Sequence, residues 1–504
     1  MKNPSKPLPV VVSKPRIARA VPVDAGPILV FRGRQADRWR LSVVFILRDE
    51  AEPPDLRVDG IRLAVPPRFL SRIPERTVWR YDFAVARGAG DQRISYGFED
   101  QIERWWLTVP ASNAVPRLAY ATCNGTEDVG AFATRGLVRN ALWSDLLRTH
   151  RSDPFHLLMM GGDQVYADGV WASHPDLAVW RDLPSRRKRQ APFTEEMAAA
   201  ADRFYADLYT GLWRQAEMAA VLASLPCVMM WDDHDIFDGY GSHPDEIREA
   251  PVYRGLYGIA RRYCALMQLG TALDEQPDCI WGRDHGSFTQ GFALDGLGIL
   301  ALDLRTERTP GRVLGEETWA AMPGWLARFE GCRHLLVMSS TPVAFPSVAW
   351  AERLLTFWPG QAELEDDLRD QWTSAHHRME HRRLLELLFA HAGRTGTHIT
   401  VVSGEVHLAH TGIMRSGGHR IVQLTSSGIT HPPPPQAWAN LLERLAGWTS
   451  SLPGGVAVEF PPLPGRETRF HTVRNWLSLS PTGDGGMAAR WHMEGDGQSD
   501  PLAL

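Results

Sequence analysis

Short apolar runs that end abruptly in polar or reactive side chains dominate the chain after residue 116. These runs predict strands at 118–122, 155–160, 227–231, 298–302, 334–338 and 399–402. Between them, apolar residues recur with helical spacing over 135–149, 194–223, 252–269 and 366–391. Strands that alternate with helices indicate an α/β domain.

The pattern before residue 116 is different. Turn signals such as Asp59-Gly60 separate short β-like runs, which lie at 28–31, 41–47, 77–85, 94–98 and 104–109. Strands at this spacing predict a small all-β sandwich. Near the other end, 431–465 has the composition of a loop, and a hairpin is predicted from 475–479 and 487–492. We therefore expect a flexible arm (1–26), an accessory β-sandwich domain (27–112), the α/β domain (116–495) and a tail (496–504).

Composition narrows the class of protein. The chain has 504 residues, 44% hydrophobic and 22% charged, which is typical of a globular protein of two or three domains. A formal net charge of -5 provides no global basic field, so we expect no nucleic-acid-binding module. Five scattered cysteines do not form a disulfide framework. No apolar run is long enough for a membrane span, and no export signal is evident, so we expect a cytoplasmic location. The oligomeric state is not determined by these patterns.

The strongest chemical signal lies at 228–235. An apolar run ends there in Asp232, Asp233, His234 and Asp235. Ionisable side chains packed at one strand end repel each other unless a positive group lies among them. A metal ion fits, because carboxylate oxygen and imidazole nitrogen are standard ligands. The structural alternative for this stretch alone is a solvated polar turn.

Other predicted strands end in the same kinds of side chain. Ligands of α/β sheets gather at the carboxyl ends of strands, so we expect these side chains to form one site. The candidates are Cys123, Asp163, Tyr166, Asp232, Asp233, His234, Glu405 and His407. A thiolate beside a phenolate favours iron, whereas oxygen ligands favour calcium, manganese or magnesium. These side chains offer more ligand atoms than one metal ion needs. Two ions about 3.5–4 Å apart would polarise a phosphoryl group and generate a hydroxide nucleophile.

Five motifs together resemble the PhoD-like branch of the calcineurin-type metallophosphoesterases. They are AYATCNG (119–125), GGDQVYAD (161–168), WDDHD (231–235), LDLR (302–305) and SGEVHLAH (403–410), in the family's order. The resemblance implies a four-layer αββα sandwich preceded by a small N-terminal all-β domain. It also implies a dinuclear metal site and alkaline phosphatase or phosphodiesterase activity on a phosphate-ester substrate.

The resemblance further implies roles for individual residues. It implies that iron is held by Cys123, Asp163 and Tyr166, with Asp163 able to bridge two ions. The residues that would surround the metals and the phosphate are Asp233, His234 and His407. The family usually has Asp where Glu405 stands, and it often has asparagines where this chain reads IFDGY at 236–240. Its secreted members carry an export signal, which is not evident here.

Structural interpretations exist for the same side chains. Cys123 could be a buried small hydrophobe, and Tyr166 a packed aromatic. Asp232 could bind backbone instead of metal. Arg305 could pair with Asp303 or Asp235, or clamp a phosphate, because a guanidinium matches phosphate geometry.

Other polar groups have weaker signals. His376, His377 and His381 are expected on a solvated helical face, and 186–189 (RRKR) in a solvated loop that could steer an anionic substrate. His410 and His431 are candidates for contacts that support the ligands or the phosphate.

We therefore expect a metal-dependent phosphoesterase with catalytic residues His234 and Arg305. The expected metal ligands are Cys123, Asp163, Tyr166, Asp232, Asp233, Glu405 and His407, around iron plus calcium, manganese or magnesium. The competing hypothesis is a catalytically compromised protein of the same fold that acts as a binding or interaction module.

Overall fold

The computed structural model describes residues 22–48, 52–99, 101–102, 104–128, 130–275, 277–346 and 371–504. Its strands are, in chain order, β1 (Val23–Gln35), β2 (Arg38–Arg48), β3 (Leu56–Val58), β4 (Ile61–Arg62), β5 (Arg68–Ile73), β6 (Arg76–Ala86), β7 (Gln92–Phe98), β8 (Trp105–Val109), β9 (Leu118–Ala121), β10 (Leu157–Gly161), β11 (Cys227–Met230), β12 (Gln290–Ala293), β13 (Leu297–Ala301), β14 (His334–Met338), β15 (His398–Ser403), β16 (His410–Ser416), β17 (His419–Thr425), β18 (Ser451–Leu452), β19 (Val456–Glu459), β20 (Asn475–Pro481), β21 (Met487–Met493), β22 (Gly497–Gln498) and β23 (Leu502–Ala503). Its α-helices are α1 (Ala131–Thr134), α2 (Ala141–Ser152), α3 (Pro175–Arg181), α4 (Ser185–Gln190), α5 (Glu195–Trp213), α6 (Ala216–Leu222), α7 (Asp245–Arg248), α8 (Pro251–Tyr263), α9 (Glu316–Ala327), α10 (Arg378–Thr395) and α11 (Gln436–Trp448).

Parallel pairing places β9, β10 and β11 side by side in the first sheet. The strand order of this sheet is β22-β21-β20-β9-β10-β11-β1-β2-β6-β5, and β23 also pairs with β21. Leu158 of β10 pairs with Ala119 on one side and with Cys227 on the other. The three strands therefore end at the same edge. Because β1 pairs in parallel with β11, the N-terminal strands β1, β2, β5 and β6 continue this sheet.

The second sheet also has a parallel centre. Its order is β12-β13-β14-β15-β17-β16-β19-β18, with β13, β14, β15 and β17 parallel. A third, antiparallel sheet has the order β4-β3-β7-β8. The mixed α/β class predicted from the sequence is confirmed.

Alternate residues of the second sheet face two different cores. Ile299 and Leu336 belong to the core that also contains Met159 of the first sheet. Their neighbours Leu300 and Leu335 belong to the core that contains the apolar faces of α9, α10 and α11. Successive side chains of a strand point to opposite faces, so this sheet is covered on both sides. Burying each such side chain contributes about 1.5–3 kcal/mol.

The predicted helix at 194–223 forms two helices. Its start is as expected, because the Thr194 side chain accepts the Met197 backbone N–H at 3.2 Å and caps α5. The chain becomes extended at Gln215, with φ -63° and ψ 135°, before α6 begins. The helix predicted at 252–269 is α8 followed by a π-helical turn at Cys264–Gln268. The prediction at 366–391 begins outside the described residues, and α10 begins at Arg378.

The prediction of a loop over 431–465 is wrong. The prolines at 432–435 precede a helix, α11, and strands β18 and β19 follow it. Proline is compatible with a helix start, because the first helical N–H groups need no intrahelical acceptor. The helix is stabilised by burial of Ala439, Leu442 and Leu445.

Helices long and apolar enough to cross a membrane are absent from the part of the chain that the structure describes.

Candidate functional site

Strained backbone marks the strand ends at which the candidate ligands lie. Cys123 follows β9, Asp163 follows β10, and Glu405 and His407 follow β15; their φ values are 52°, 53°, 65° and 54°. Eight non-glycine residues have a positive φ in the described ranges, and these are four of them. Such conformations cost about 1–3 kcal/mol each and cluster at functional sites. The backbone therefore singles out this edge of the molecule.

Two glycines allow the strand ends to approach each other closely. Gly162 has a φ of 110°, and a Cβ there would lie 2.9 Å from the Cβ of Asp232 and 3.2 Å from that of Ser340. A Cβ on Gly125 would lie 2.3 Å from the ring of Tyr166. Real Cβ atoms essentially never lie within 3.0 Å of another heavy atom in this way, so glycine permits both approaches.

Three groups of potential metal ligands form at this edge, each with its ligand atoms within 4.8 Å of one another. The groups are Cys123 with Asp163 and His407, Asp163 with Asp232 and Asp233, and Asp233 with His234 and Asp238. Asp163 and Asp233 each belong to two groups, so the three form a continuous row. This arrangement offers carboxylates that can be shared between neighbouring ions.

Two buried carboxylate oxygens fit a cation at this point. Asp163 Oδ1 and Asp232 Oδ2 have no hydrogen-bond partner among the residues that the structure describes. A buried acceptor without a partner is costly, and a cation would satisfy both oxygens. Burial raises the pKa of Asp163 well above its usual range; His234 opposes this rise, whereas Asp232 and Asp233 add to it. A bound cation would reverse this balance and favour the carboxylate.

The first group has the donor chemistry of a transition-metal site. Cys123 is fully buried, and burial, followed by the charge of Asp163, raises the pKa of its thiol well above the ordinary value. A coordinated thiol is deprotonated, so a cation would again reverse this shift. Burial and His431 lower the pKa of His407 well below its usual value. This shift favours the neutral form of His407, which is the form of imidazole that binds metal.

Arg305 holds the second group together. Its guanidinium is fully buried, donates from Nε to Asp232, and lies 3.2 Å from Asp233 Oδ1 through Nη2. Nη1 donates to the Tyr240 carbonyl at 3.2 Å, and Ser340 Oγ donates to Asp232 Oδ1 at 2.9 Å. One oxygen of Asp232 thus binds Arg305 and Ser340, and the other has no hydrogen-bond partner among the described residues. These contacts support a structural role for Asp232, and metal binding by its other oxygen stays a prediction.

Asp303 and Asp235 support the strand ends through the backbone. Asp303 accepts the backbone N–H of Arg305 at 3.0 Å and the indole N–H of Trp231 at 2.8 Å. Asp235 accepts the backbone N–H of Asp232 at 2.8 Å and the side-chain amide of Gln268 at 2.8 Å. These two carboxylates therefore fix loop geometry around the candidate ligands.

Removing the Arg305 guanidinium is expected to destabilise the fold. Arg305→Met leaves Asp232 and Asp233 buried without their cation, and breaking a buried ion pair in this way typically costs about 3–5 kcal/mol. The measurement is urea unfolding in the presence of a chelator. Arg312→Met, which removes an exposed arginine, is the control and should change stability little. A loss below about 1 kcal/mol for Arg305→Met would mean that the pair is not needed for folding.

His234 is oriented by a carboxylate that the sequence reasoning missed. Its Nδ1 lies 2.8 Å from Asp168 Oδ2, and Asp168 Oδ1 accepts the Asp238 backbone N–H at 2.6 Å. Burial alone would lower the pKa of His234, but Asp168, with help from Asp233 and Asp163, raises it well above the ordinary value. The imidazole is therefore held in one orientation and favours its protonated form.

Tyr166 lies within an aromatic stack at the site. Its ring centroid is 4.3 Å from that of His234 and 5.5 Å from that of His431, and His431 stacks on His407 at 3.5 Å. Tyr166 Oη lies 3.3 Å from His407 Nε2. The phenol is therefore both packed between imidazoles and directed towards the first ligand group.

A cavity of about 570 Å³ opens onto these groups. Its lining includes Asp163, Asp233, His234, Glu405 and His407, together with Glu127, Asp238 and His431. Within the described residues, Glu405 is not a member of the three ligand groups; its Oε2 accepts an N–H of Gln371 at 2.6 Å.

The site also contains Glu127, Asp168, Asp238 and His431, whose signals in the sequence differ in strength. Asp168 ends the GGDQVYAD motif, Asp238 follows WDDHD by three residues, and His431 was a candidate for a supporting contact. Glu127 had no recognisable signal beyond its closeness to Cys123 in the chain. Its carboxylate lies 3.4 Å from His431 Nε2 and 3.6 Å from His234 Nε2.

Several other predicted candidates lie elsewhere. His410 is buried against Phe345, Phe460 and Phe470. The prediction of a solvated face for His377 and His381 is wrong, because both are buried, and burial lowers the pKa of His381 to about 4. Residues 186–189 lie in α4, which is largely exposed, and not in a loop.

Comparison with known proteins agrees with this architecture. A protein from Saccharomyces cerevisiae described as "Uncharacterized protein YGR266W" is 27% identical over 463 residues, covering 74% of this chain and 65% of the yeast protein. The chain thus spans less than two thirds of that relative's length. A solved structure described as "Structure of PhoD" matches with a TM-score of 0.56 and 11% identity, covering 96% of this chain and 92% of that one, which indicates a common fold. The model of the family described as PhoD related phosphatase matches residues 75–359, more than half of the chain. The chain therefore belongs to the PhoD related phosphatase family.

Proposed function

We propose that this protein is a metal-dependent phosphoesterase. The observation that carries the proposal is the continuous row of ligand groups joined by Asp163 and Asp233, with a buried oxygen of Asp163 left for a ligand. The cavity of about 570 Å³ next to that row offers room for a phosphate ester. Family membership supports the same reaction class.

The residues divide into two sets of ligands for a dinuclear site. Cys123, His407 and Tyr166 would hold the first ion, for which thiolate and phenolate favour iron. Asp232 and Asp233, with Glu405 at greater reach, would hold a second ion, for which oxygen donors favour calcium, manganese or magnesium. Asp163 would bridge them. When bound, such ions polarise phosphoryl oxygens and make water a stronger acid.

His234 is the proposed proton donor. Water contributes the oxygen that forms the new bond to phosphorus, the bond between phosphorus and the ester oxygen breaks, and the departing alkoxide takes a proton from His234. The proton that the attacking water loses passes to solvent, from which His234 is protonated again. Asp168 binds Nδ1, so Nε2, which lies 3.6 Å from Glu127 at the cavity lining, is the atom proposed to donate the proton. General-acid help of this kind typically contributes about 10²–10⁴-fold.

Arg305 has a positioning role in this proposal. The sequence suggested a phosphate clamp, but the guanidinium is buried against Asp232 and Asp233, and Arg305 is not among the described residues that line the cavity. We propose that it acts on the reaction through these two carboxylates, by fixing where their free oxygens point.

The architecture proposed for the family fits these sheets. The two large sheets share a core and carry helices, which supports a four-layer αββα arrangement. If an accessory domain spans 27–112, its strand β1 also belongs to the first sheet, because β1 pairs with β11.

A panel of phosphate monoesters and diesters tests the function. We expect protein loaded with iron plus calcium or manganese to hydrolyse at least one ester class, and chelation to abolish the activity. Folded protein with its metals bound that hydrolyses none of these esters would overturn the proposal and favour a binding protein.

The colour of the iron-loaded protein tests whether Cys123 and Tyr166 bind iron. Thiolate or phenolate bound to ferric iron produces a charge-transfer band, so protein made with ample iron should be coloured. We expect Cys123→Ala and Tyr166→Phe each to remove the band and to lower iron content at least about tenfold, since even supporting contacts are worth 10–100-fold in metal affinity. Cys227→Ala removes another buried thiol, from β11, and should leave both unchanged. Colourless, iron-free protein with full activity on another metal would contradict the iron assignment.

A further inference from the structure

A second cavity, of about 440 Å³, lies directly beside the ligand groups. It shares Glu405, His407 and Pro434 with the cavity of about 570 Å³. His407 is also a member of the first ligand group. A phosphate bound at that group would therefore lie at the junction between the two cavities.

The two cavities differ in chemistry. Most described residues that line the smaller one are apolar, and they include Phe345, Val406, Trp438 and Leu441. Two of its polar residues bind each other, because Gln371 donates to Glu405. The larger cavity is lined instead by carboxylates and imidazoles, among them Glu127, Asp238, His234 and His431.

The apolar wall belongs to well-packed elements. Ala437, Trp438 and Leu441 lie on the first turns of α11, at the spacing that places them on one side of a helix. Trp438, Leu441 and Val406 pack against the core of the second sheet. A preformed apolar pocket of this size, next to a few convergent polar groups, is the usual form of a small-molecule subsite.

We propose that the substrate is a phosphodiester that joins a hydrocarbon group to a polar alcohol. This inference rests on the phosphoesterase function proposed above. The hydrocarbon group occupies the smaller cavity and stays on the phosphate. The polar alcohol lies in the larger cavity, where its oxygen leaves phosphorus and takes up a proton, while water, which gives up one proton, supplies the new oxygen. Leu441 and Ala437 are then specificity-determining residues.

A series of p-nitrophenyl alkyl phosphodiesters tests this proposal, because the leaving group is constant while the retained alkyl group grows from methyl to hexyl. We expect kcat/KM of the metal-loaded protein to rise roughly fourfold for each added methylene, as long as the chain lies inside the cavity. Alkylphosphonates of the same lengths, tested as inhibitors, should bind with the same trend.

Variants in α11 distinguish binding of the alkyl group in the smaller cavity from a general preference of the protein for apolar esters. Ala437→Trp fills the pocket and Leu441→Asp makes its wall polar, so each should reduce the rise to less than about twofold per methylene. Gly447→Trp adds the same bulk on an exposed part of α11, where a Cβ would meet no atom within 4 Å. This control should keep the native dependence on chain length.

The outcomes distinguish a failure of the pocket proposal from a failure of the phosphoesterase function. The pocket assignment is wrong if kcat/KM of the native protein does not depend on alkyl length, or if both pocket variants keep the native dependence. In either case, release of p-nitrophenol would still support the phosphoesterase function. If only the monoester p-nitrophenyl phosphate is hydrolysed, the diester proposal alone fails. If no ester is hydrolysed by folded, metal-loaded protein, both proposals fail.

Discussion

Asp163→Asn is expected to abolish hydrolysis of every phosphate ester and to strip metal from the protein. Asp163 belongs to two ligand groups and keeps a buried oxygen without a partner among the described residues, so its charge is the one that both proposed ions share. An amide of the same shape cannot supply that charge. Metal polarisation is worth several kcal/mol in the transition state, so kcat/KM should fall roughly 10³-fold or more.

The measurement is kcat/KM together with metal content by elemental analysis. Asp128→Asn is a matched control, because Asp128 lines the same cavity but is exposed. This variant should keep its metals and most of its activity. Normal metal content and activity in Asp163→Asn would remove the bridging role.

His234→Asn should damage turnover of an alkyl phosphate far more than turnover of a nitrophenyl phosphate. An alkoxide requires a proton as it leaves, whereas nitrophenolate hardly does. We expect a loss of about 10²–10⁴-fold for the alkyl ester, little loss for the nitrophenyl ester, and near-normal metal content. Because the contact with Asp168 raises the pKa of His234 above its ordinary value, the rate of the native protein with the alkyl ester should decline only at a pH above that ordinary value.

Two further variants control this result. Asp168→Asn removes the carboxylate that orients Nδ1, and it should show the same leaving-group dependence in a weaker form. His431→Asn changes another imidazole that lines the cavity, and it should affect both esters alike. If His234→Asn slows both esters equally and loses metal, His234 is a ligand and not the proton donor.

Strand ends were the most predictable part of the site. Each of the four residues Cys123, Asp163, Asp233 and His407 follows an apolar run in the sequence. Parallel pairing of β9, β10 and β11 brings the first three strand ends together, whereas His407 follows β15 of the second sheet and lies near Cys123 and Asp163 in the folded chain. The terminal hairpin also depends on residues close together in the chain, and β20 and β21 form it where the alternating pattern predicted it.

Long-range contacts were not predictable in the same way. The pairing of β1 with β11 joins segments about 200 residues apart, and nothing in either segment specifies the other. Glu127 and Asp168 reach His234 only because three loops converge. The helix α11 was missed because four successive prolines resemble a loop, although they also precede helices.

The sequence by itself determined which candidate ligands lie at strand ends, because apolar runs and the residues that terminate them are local properties. The tertiary structure determined which of these side chains lie together, which carboxylate oxygens lack a hydrogen-bond partner, and which side chain each carboxylate binds. Arg305 illustrates the difference: its charge was evident from one residue, but its role depends on Asp232 and Asp233, which follow β11 of the first sheet, whereas Arg305 follows β13 of the second.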